Sequence, residues 1–319
     1  MTTASARATP TSASPAASTA PAWEGAAVDA AREWTYLLRM PFGPLLSAAD
    51  LVASRGSVCL LDARSEADHA AGHLAGAVLA DLEVDLSGAR SPGFDPAHGG
   101  RHPLPELSAW AARLGSWGIT PGTRVVAYDA AGGANAAGRL WWMLRAVGHA
   151  HVAVLDGGAA AARAAGMEWT VAVAPPRPAA TPYPAGPWRL PTADIDTVAL
   201  RARDPAWRVI DVRSRERWRG ETEPLDPTPG RIPGTVNVPY SENLRADGRF
   251  ESPETLRQRY ARVLGDTPPE RVIVHCGSGV TACHTLFALE LAGLPGAALY
   301  VGSYGEWCRS GRPLGKGPG

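Results

Sequence analysis

The chain carries one succession of motifs twice. In its first half, Cys59-Leu60-Leu61-Asp62-Ala63-Arg64-Ser65 is an apolar run closed by Asp-x-Arg, and Val209-Ile210-Asp211-Val212-Arg213-Ser214 repeats it in the second. Farther on, Arg124-Val125-Val126-Ala127-Tyr128-Asp129 is matched by Arg271-Val272-Ile273-Val274-His275-Cys276. A glycine-bearing loop and a long apolar stretch come after each. Then Gly148 and Val152-Ala153-Val154-Leu155-Asp156-Gly157-Gly158 are matched by Gly293 and Ala298-Leu299-Tyr300-Val301-Gly302-Ser303. Short apolar runs bounded by turn residues read as buried strands, and the longer stretches between them as helices. Their alternation predicts an α/β fold, with a mainly parallel sheet flanked by helices in each half.

Proline marks the joint between the halves. Ala174-Pro175-Pro176-Arg177-Pro178 is followed by Pro182, Pro184 and Pro187. Such a stretch joins neither a helix nor a central strand, so 173–190 is expected to be an extended linker. It separates a first domain at 36–172 from a second at 191–319, and 319 residues suffice for two ordinary domains. Residues 1–35 are expected to form a disordered tail. Up to Pro21 this tail is almost all Ala, Ser, Thr and Pro, with Arg7 its only charge and no apolar signal core.

Charge and cysteine usage narrow the function classes. The formal net charge is zero, which argues against nucleic acid or an acidic membrane surface as partner. No apolar run approaches the roughly 18 residues of a membrane span. The four cysteines, Cys59, Cys276, Cys283 and Cys308, form no CxxC pair and no zinc-ligand spacing. So few in a large chain suit a reducing compartment, and a cytoplasmic protein is expected. Cys59 and Cys283 read as small core hydrophobes.

One copy of the repeat carries a nucleophile. Cys276-Gly277-Ser278-Gly279-Val280-Thr281 comes after the Arg271–Val274 run and precedes the helical stretch from Ala282. Gly277 and Gly279 let the loop curl so that successive backbone N–H groups point inward, and the helix N-terminus adds positive potential on that side. Thiolate is the reactive form of cysteine, and such a nest favours an anion, whether thiolate or substrate. The first half has Asp129 in this slot, so it is expected to have lost catalysis and to support the second half across a cleft.

Taken together and in order, these motifs resemble the two-domain rhodanese-type sulfurtransferases. The resemblance rests on Cys276–Thr281, both Asp-x-Arg strand ends, His73-Leu74-Ala75-Gly76-Ala77, Ile232-Pro233-Gly234-Thr235-Val236-Asn237, Arg139-Leu140-Trp141-Trp142-Met143-Leu144-Arg145 and Gly302-Ser303-Tyr304-Gly305-Glu306-Trp307. It implies two rhodanese-like domains with only the second catalytic, and a cofactor-free cycle. In that cycle Cys276 takes a sulfane sulfur from a small anionic donor, thiosulfate or 3-mercaptopyruvate. It then passes the sulfur from its persulfide to a thiophilic acceptor such as cyanide, a small thiol or a thioredoxin-like protein. Gly277, Gly279, Val280 and Thr281 would line the substrate, and the Thr281 hydroxyl would cap the helix or bond the sulfur.

The resemblance also implies roles outside the loop. Arg217, six residues after Asp211, would bind the donor through its planar fork. Arg213 reads as structural, Arg215 and Arg219 as surface. The second arginine expected shortly after Glu223-Pro224 is missing, which leaves Arg231 as a stand-in. A proton-transfer set of Ser278, a histidine and an aspartate is implied, with His73 and Asp62 as the candidates. His275 is expected to point away from Cys276, since neighbours on a strand face opposite sides.

Two other readings compete. Rhodanese modules also serve as non-catalytic binding or regulatory domains, though these commonly lose the cysteine. A cysteine phosphatase would need a longer loop ending in an arginine clamp, and the residue six after Cys276 is Ala282.

Overall fold

A computed structural model describes residues 1, 43–54, 56–174 and 181–318. Apart from Met1, the tail expected over 1–35 lies outside them, as does the proline cluster at 175–180.

The first half contributes strands β1 (Leu45–Leu46), β2 (Val58–Asp62), β3 (His73–Leu74), β4 (Val78–Leu79), β5 (Arg124–Tyr128), β6 (Val152–Leu155) and β7 (Trp169–Thr170). The second contributes β8 (Thr192–Ala193), β9 (Arg208–Asp211), β10 (Val236–Asn237), β11 (Val272–His275) and β12 (Ala298–Tyr300). Two five-stranded sheets result, ordered β1-β6-β5-β2-β4 and β10-β9-β11-β12-β8, with every pairing parallel. Taken from its other end, the second order has the connectivity of the first. β3 and β7 form a separate antiparallel ribbon.

Central strands β2 and β11 are buried along their whole length, as a parallel sheet covered on both faces demands. The covering helices nearest the loop of interest are Ala136–Ala146 and Thr281–Leu291, each the counterpart of the other in the repeat. They pack directly together, with Trp141 and Phe287 edge to face at 4.8 Å. Gly138 permits the approach: a Cβ there would lie 3.1 Å from the His284 amide nitrogen. One core cluster therefore runs through both halves.

The described part of the expected linker is pinned to the first half. Tyr183 is buried, its N–H donates to the Ala111 carbonyl at 3.0 Å, and Trp188 stacks on Trp142. Among the described residues no helix is long and apolar enough to cross a membrane.

Candidate active site

Strand β11 ends at His275, and Cys276 opens the loop that leads into the Thr281–Leu291 helix. Two carbonyls of this loop are tied down from behind: Tyr304 N–H donates to Cys276 O at 3.0 Å, and Gly305 N–H to Gly277 O at 2.9 Å. With these carbonyls held back, the Ser278 amide is left to face the sulfur. Ser278 N–H donates to Cys276 Sγ at 3.4 Å. Gly279 is left-handed, with φ +75°, and a Cβ there would strike the Val301 carbonyl. Cys276 is 3% exposed.

Ser303 supports the loop from the end of β12. Cys276 N–H donates to its Oγ at 3.2 Å, and that hydroxyl donates to Tyr300 O at 2.9 Å. Ser303 is the one described non-glycine residue with positive φ, +54°. Its two side-chain bonds hold a conformation that is unfavourable for a residue with a Cβ.

The other loop residues divide between lining and support. Val280 is buried and sits at the N-cap of the helix. Thr281 is the first helical residue, but no side-chain cap forms there, and its hydroxyl has no bond to the sulfur among the described residues. The Ser278 hydroxyl likewise has no partner among them, and Ser278 is 7% exposed. His275 turns away from the thiol, its Nδ1 donating to Cys276 O at 3.2 Å, and burial pulls its pKa down. Cys283 packs in the core, where burial pushes its thiol up to about 12.

Charge gathers on one side of the loop. Nη2 of Arg217 lies 3.2 Å, and Nη2 of Arg101 2.8 Å, from where a Cβ on Gly277 would be. Arg217 spends Nε and Nη2 on buried Glu223, at 3.1 and 2.6 Å. Arg101 Nε donates to Asp226 Oδ1 at 3.1 Å, and Arg309 Nη1 to the same oxygen at 3.0 Å. Arg213 is buried against Asp211 and Glu223, as a structural residue should be. Arg231 does not stand in for the missing arginine. Its guanidinium lies over Trp218 and donates to Gly317 O at 2.6 Å, on the C-terminal segment.

The first half reaches the loop through other residues than the sequence suggested. His73 lies on the β3–β7 ribbon, with Nδ1 2.9 Å from His69 O and Nε2 3.2 Å from Ala172 O. Asp62 is buried against Arg64 and His69, and Arg64 holds its pKa down despite the opposing effect of burial. Among the described residues, no hydrogen bond or ion pair joins either to Cys276–Thr281. Their positions instead repeat those of Arg231 and Asp211, so they serve the corresponding corner of their own domain.

What meets the loop is Arg139 and the segment before Pro103. Arg139 is fully buried, and its guanidinium donates to Gly279 O at 3.2 Å and to His102 O at 3.1 Å. That bridge sets His102 beside the loop. His102 Nε2 lies 2.7 Å from Glu83 Oε1, while Nδ1 is buried without a partner. Burial lowers the His102 pKa against the pull of Glu83, so the ring tends to neutrality. With the carboxylate taking the Nε2 proton, Nδ1 is left as an open acceptor. The pair Gly99-Gly100 is the one local mark of this segment: a Cβ on Gly100 would strike the Gly302 carbonyl, and Gly99 N–H donates to Glu306 Oε1 at 2.8 Å.

Chemically, the arrangement offers a buried thiol that accepts from the Ser278 amide, the guanidiniums of Arg101 and Arg217 against Gly277, and an imidazole with one open nitrogen. Comparison with known proteins gives the same site a context. The rhodanese-like domain model matches residues 47–165 and again 194–310. The "Probable 3-mercaptopyruvate sulfurtransferase" of Pseudomonas aeruginosa is 43% identical over 236 residues, covering 74% of this chain and 81% of that protein. The thiosulfate sulfurtransferase of Bos taurus is 34% identical over 220 residues, covering 66% of this chain and 71% of its own. The crystal structure of SseA from Escherichia coli, described as a 3-mercaptopyruvate sulfotransferase, superposes with a TM-score of 0.68 at 29% identity, covering 82% of this chain and 98% of that one.

Proposed function

This chain belongs to the rhodanese-like family and is a sulfurtransferase, and from that premise we propose that Cys276 is its sulfur carrier and the second domain its catalytic half. The observation that carries the reading is the Ser278 amide aimed at Cys276 Sγ, in a loop whose carbonyls are tied away. The thiolate attacks the sulfane sulfur of the donor. A Cys–S–S bond forms while the donor's bond to that sulfur breaks, and its electron pair leaves with the donor remnant. An acceptor then attacks the outer sulfur and the Cys276 thiolate departs. Inward amides stabilise negative charge on the inner sulfur in both steps.

The donor reading favoured by the geometry is 3-mercaptopyruvate. Its remnant leaves as an enolate that needs a proton, whereas sulfite leaving thiosulfate does not. The open Nδ1 of His102 supports the delivery: it takes the proton of the donor's thiol, through the Ser278 hydroxyl, and returns it to the enolate carbon. His102 and Glu83 thus replace His73 and Asp62 in the proton-transfer role, beside Ser278. Thiosulfate is the second reading, favoured by the arginines around Gly277, which suit a dianion. Arg217 contacts the donor in either case, and Gly277, Gly279, Val280 and Thr281 line it.

Small thiols, cyanide or a thioredoxin-like protein are the acceptors in this reading. Four free cysteines suit a reducing compartment, here the cytoplasm. The test is Cys276→Ser. The variant should fold normally, take up no sulfur by intact mass and transfer none to cyanide; near-wild-type transfer would sink the reading.

A further inference from the structure

We propose that Arg231 and residues 314–317 form a strap that sets the donor site from outside it, by closing the 220–230 loop whose carboxylates hold Arg217. The proposal rests on the reading of Arg217 as the donor contact, and it makes Arg231 a positioning residue. The loop has little backbone order of its own. No helix or strand forms between Gly220 and Gly230, and Pro224, Pro227 and Pro229 supply no amide donor. Yet the loop carries two buried carboxylates of the site. Glu223 accepts from Arg213 and Arg217, and Asp226 from Arg101 and Arg309. A shift of the loop therefore moves Arg217 with it.

The ends of the loop meet. A Cβ on Gly220 would lie 3.0 Å from Gly230 Cα, so the chain leaves and returns at one point. The strap grips both sides of that point. Just before the loop, Arg219 O accepts from Gly317 N–H at 2.8 Å. Just after it, Arg231 and Gly315 exchange both backbone bonds, each at 2.9 Å. The Arg231 side chain locks the pair: Nη1 donates to Gly317 O at 2.6 Å, and the guanidinium lies 4.2 Å over the Trp218 ring. Gly315 leaves room for it, since a Cβ there would lie 3.2 Å from Arg231 Cγ and Nε. Holding the ends together lowers the entropy cost of ordering what lies between them.

The strap is also joined to the thiol loop. Trp307 Nε1 donates to Pro313 O at 3.0 Å, and Tyr304 Oη donates to Thr228 O at 2.7 Å. The backbone N–H of Tyr304 is the donor that holds Cys276 O. The Ser303–Trp307 helix thus fixes the strap, the 220–230 loop and the thiol loop in one frame.

The test compares wild type with Arg231→Ala, Arg231→Lys and Gly315→Val in the full chain; the last disturbs the same contact from the strap's side. One readout needs no sulfur transfer: hydrogen exchange of the loop amides by mass spectrometry, chiefly those of Leu225 and Asp226, which donate to Glu223 Oε1 at 3.1 and 3.3 Å. The other is the concentration of 3-mercaptopyruvate or thiosulfate that half-saturates sulfur transfer. In Arg231→Ala and Gly315→Val, exchange between Gly220 and Gly230 should quicken about tenfold. Half-saturation should rise about fivefold with both donors, within the worth of one hydrogen bond. Maximal rate should hold, and so should exchange in the Thr281–Leu291 helix. Arg231→Lys keeps a donor for Gly317 O and should recover part of both effects. Quicker loop exchange with wild-type half-saturation overturns the proposal, as do wild-type values of both, or a loss of protection spread evenly over the molecule. Wild-type half-saturation in Arg217→Ala would instead overturn the reading of Arg217, and loop exchange would still judge the strap.

Discussion

Asp129 and Cys276 are the same position in two copies of one fold. Register sets Tyr128 opposite Asp62 and His275 opposite Asp211, so each is the first residue beyond its central strand. The two loops differ in how their inward amides are used. Asp129 fills its own nest: Oδ1 accepts from Ala131 and Gly133 at 2.8 and 2.9 Å, and Oδ2 from Asn135 and Ala137 at 3.1 and 3.2 Å. Cys276 leaves the equivalent space to its sulfur and to whatever the sulfur meets. The first loop is a binding site already occupied by its own carboxyl group.

That occupancy makes Asp129 a structural residue. Burial pushes its pKa up, while four amide bonds oppose the shift. Asp129→Ala would leave those amides buried and unpaired, at a cost on the order of 3 kcal/mol. Urea unfolding should register the loss, and sulfur loading of Cys276 per folded molecule should not change. A variant as stable as wild type would mean that the amides find water or rearrange, and that the first loop is not held by its carboxylate.

On the proposed reading Arg217 binds donor and transition state alike, so Arg217→Ala should raise the half-saturating donor concentration by about tenfold with little change in maximal rate. Glu223, whose side chain is fully buried, would keep Arg213 as its remaining side-chain partner. An unchanged donor dependence would take Arg217 out of the site.

Much of the architecture was legible in the sequence, for a physical reason. The repeat implied a mainly parallel sheet in each half, since apolar runs and glycine loops recur wherever strands and tight turns do. Cys276, Gly277, Ser278 and Gly279 were legible because a nest needs small residues at fixed spacing. Arg217 could be placed from its distance to a strand end. The first-domain partners were not legible. Arg101 and His102 lie in an irregular stretch between β4 and the Leu107–Ser116 helix, and only tertiary packing brings it to Gly277 and Gly279. His73 and Asp62 stood out because they belong to the repeat, and for that reason they serve their own domain. Nothing near Arg231 in the sequence told whether it could replace the missing arginine; its partners, Gly315 and Gly317, lie far along the chain.

His102 separates the two donors. His102→Gln should lower maximal turnover of 3-mercaptopyruvate on the order of a hundredfold, within the range of lost general acid–base catalysis. Thiosulfate turnover should stay near wild type, because its leaving group needs no proton. Glu83→Gln should act in the same direction more weakly, by releasing the ring. His73→Gln should leave the ratio of the two donors unchanged. Equal losses with both donors in His102→Gln would assign the residue to loop support instead of proton transfer.

Acid stability should report on two buried histidines that the proposed chemistry does not use. His149 is buried against Tyr183, and His284 lies under Phe250, with ring centroids 4.6 Å apart. Burial holds both pKa values down to about 4. The unfolded chain would titrate them near 6.5. Both are therefore neutral in the fold, and their contribution is fully present above the unfolded value. As pH falls from about 6.5 to about 4, the unfolded state takes up protons that the folded state refuses, and each histidine costs on the order of 3 kcal/mol of stability. Glu290 works the other way. Burial raises it to about 8, so the folded state holds its proton more tightly and gains stability as pH falls from about 8 to the ordinary glutamate value. The total profile mixes these opposing slopes, so the variant and not the wild type is informative. His284→Phe keeps an aromatic ring against Phe250 and removes one titration. Between about pH 7 and about pH 5, its urea midpoint should fall less than that of wild type, whatever its absolute stability. Parallel curves for the two proteins would show that His284 is charged within the fold and that its burial does not govern its proton.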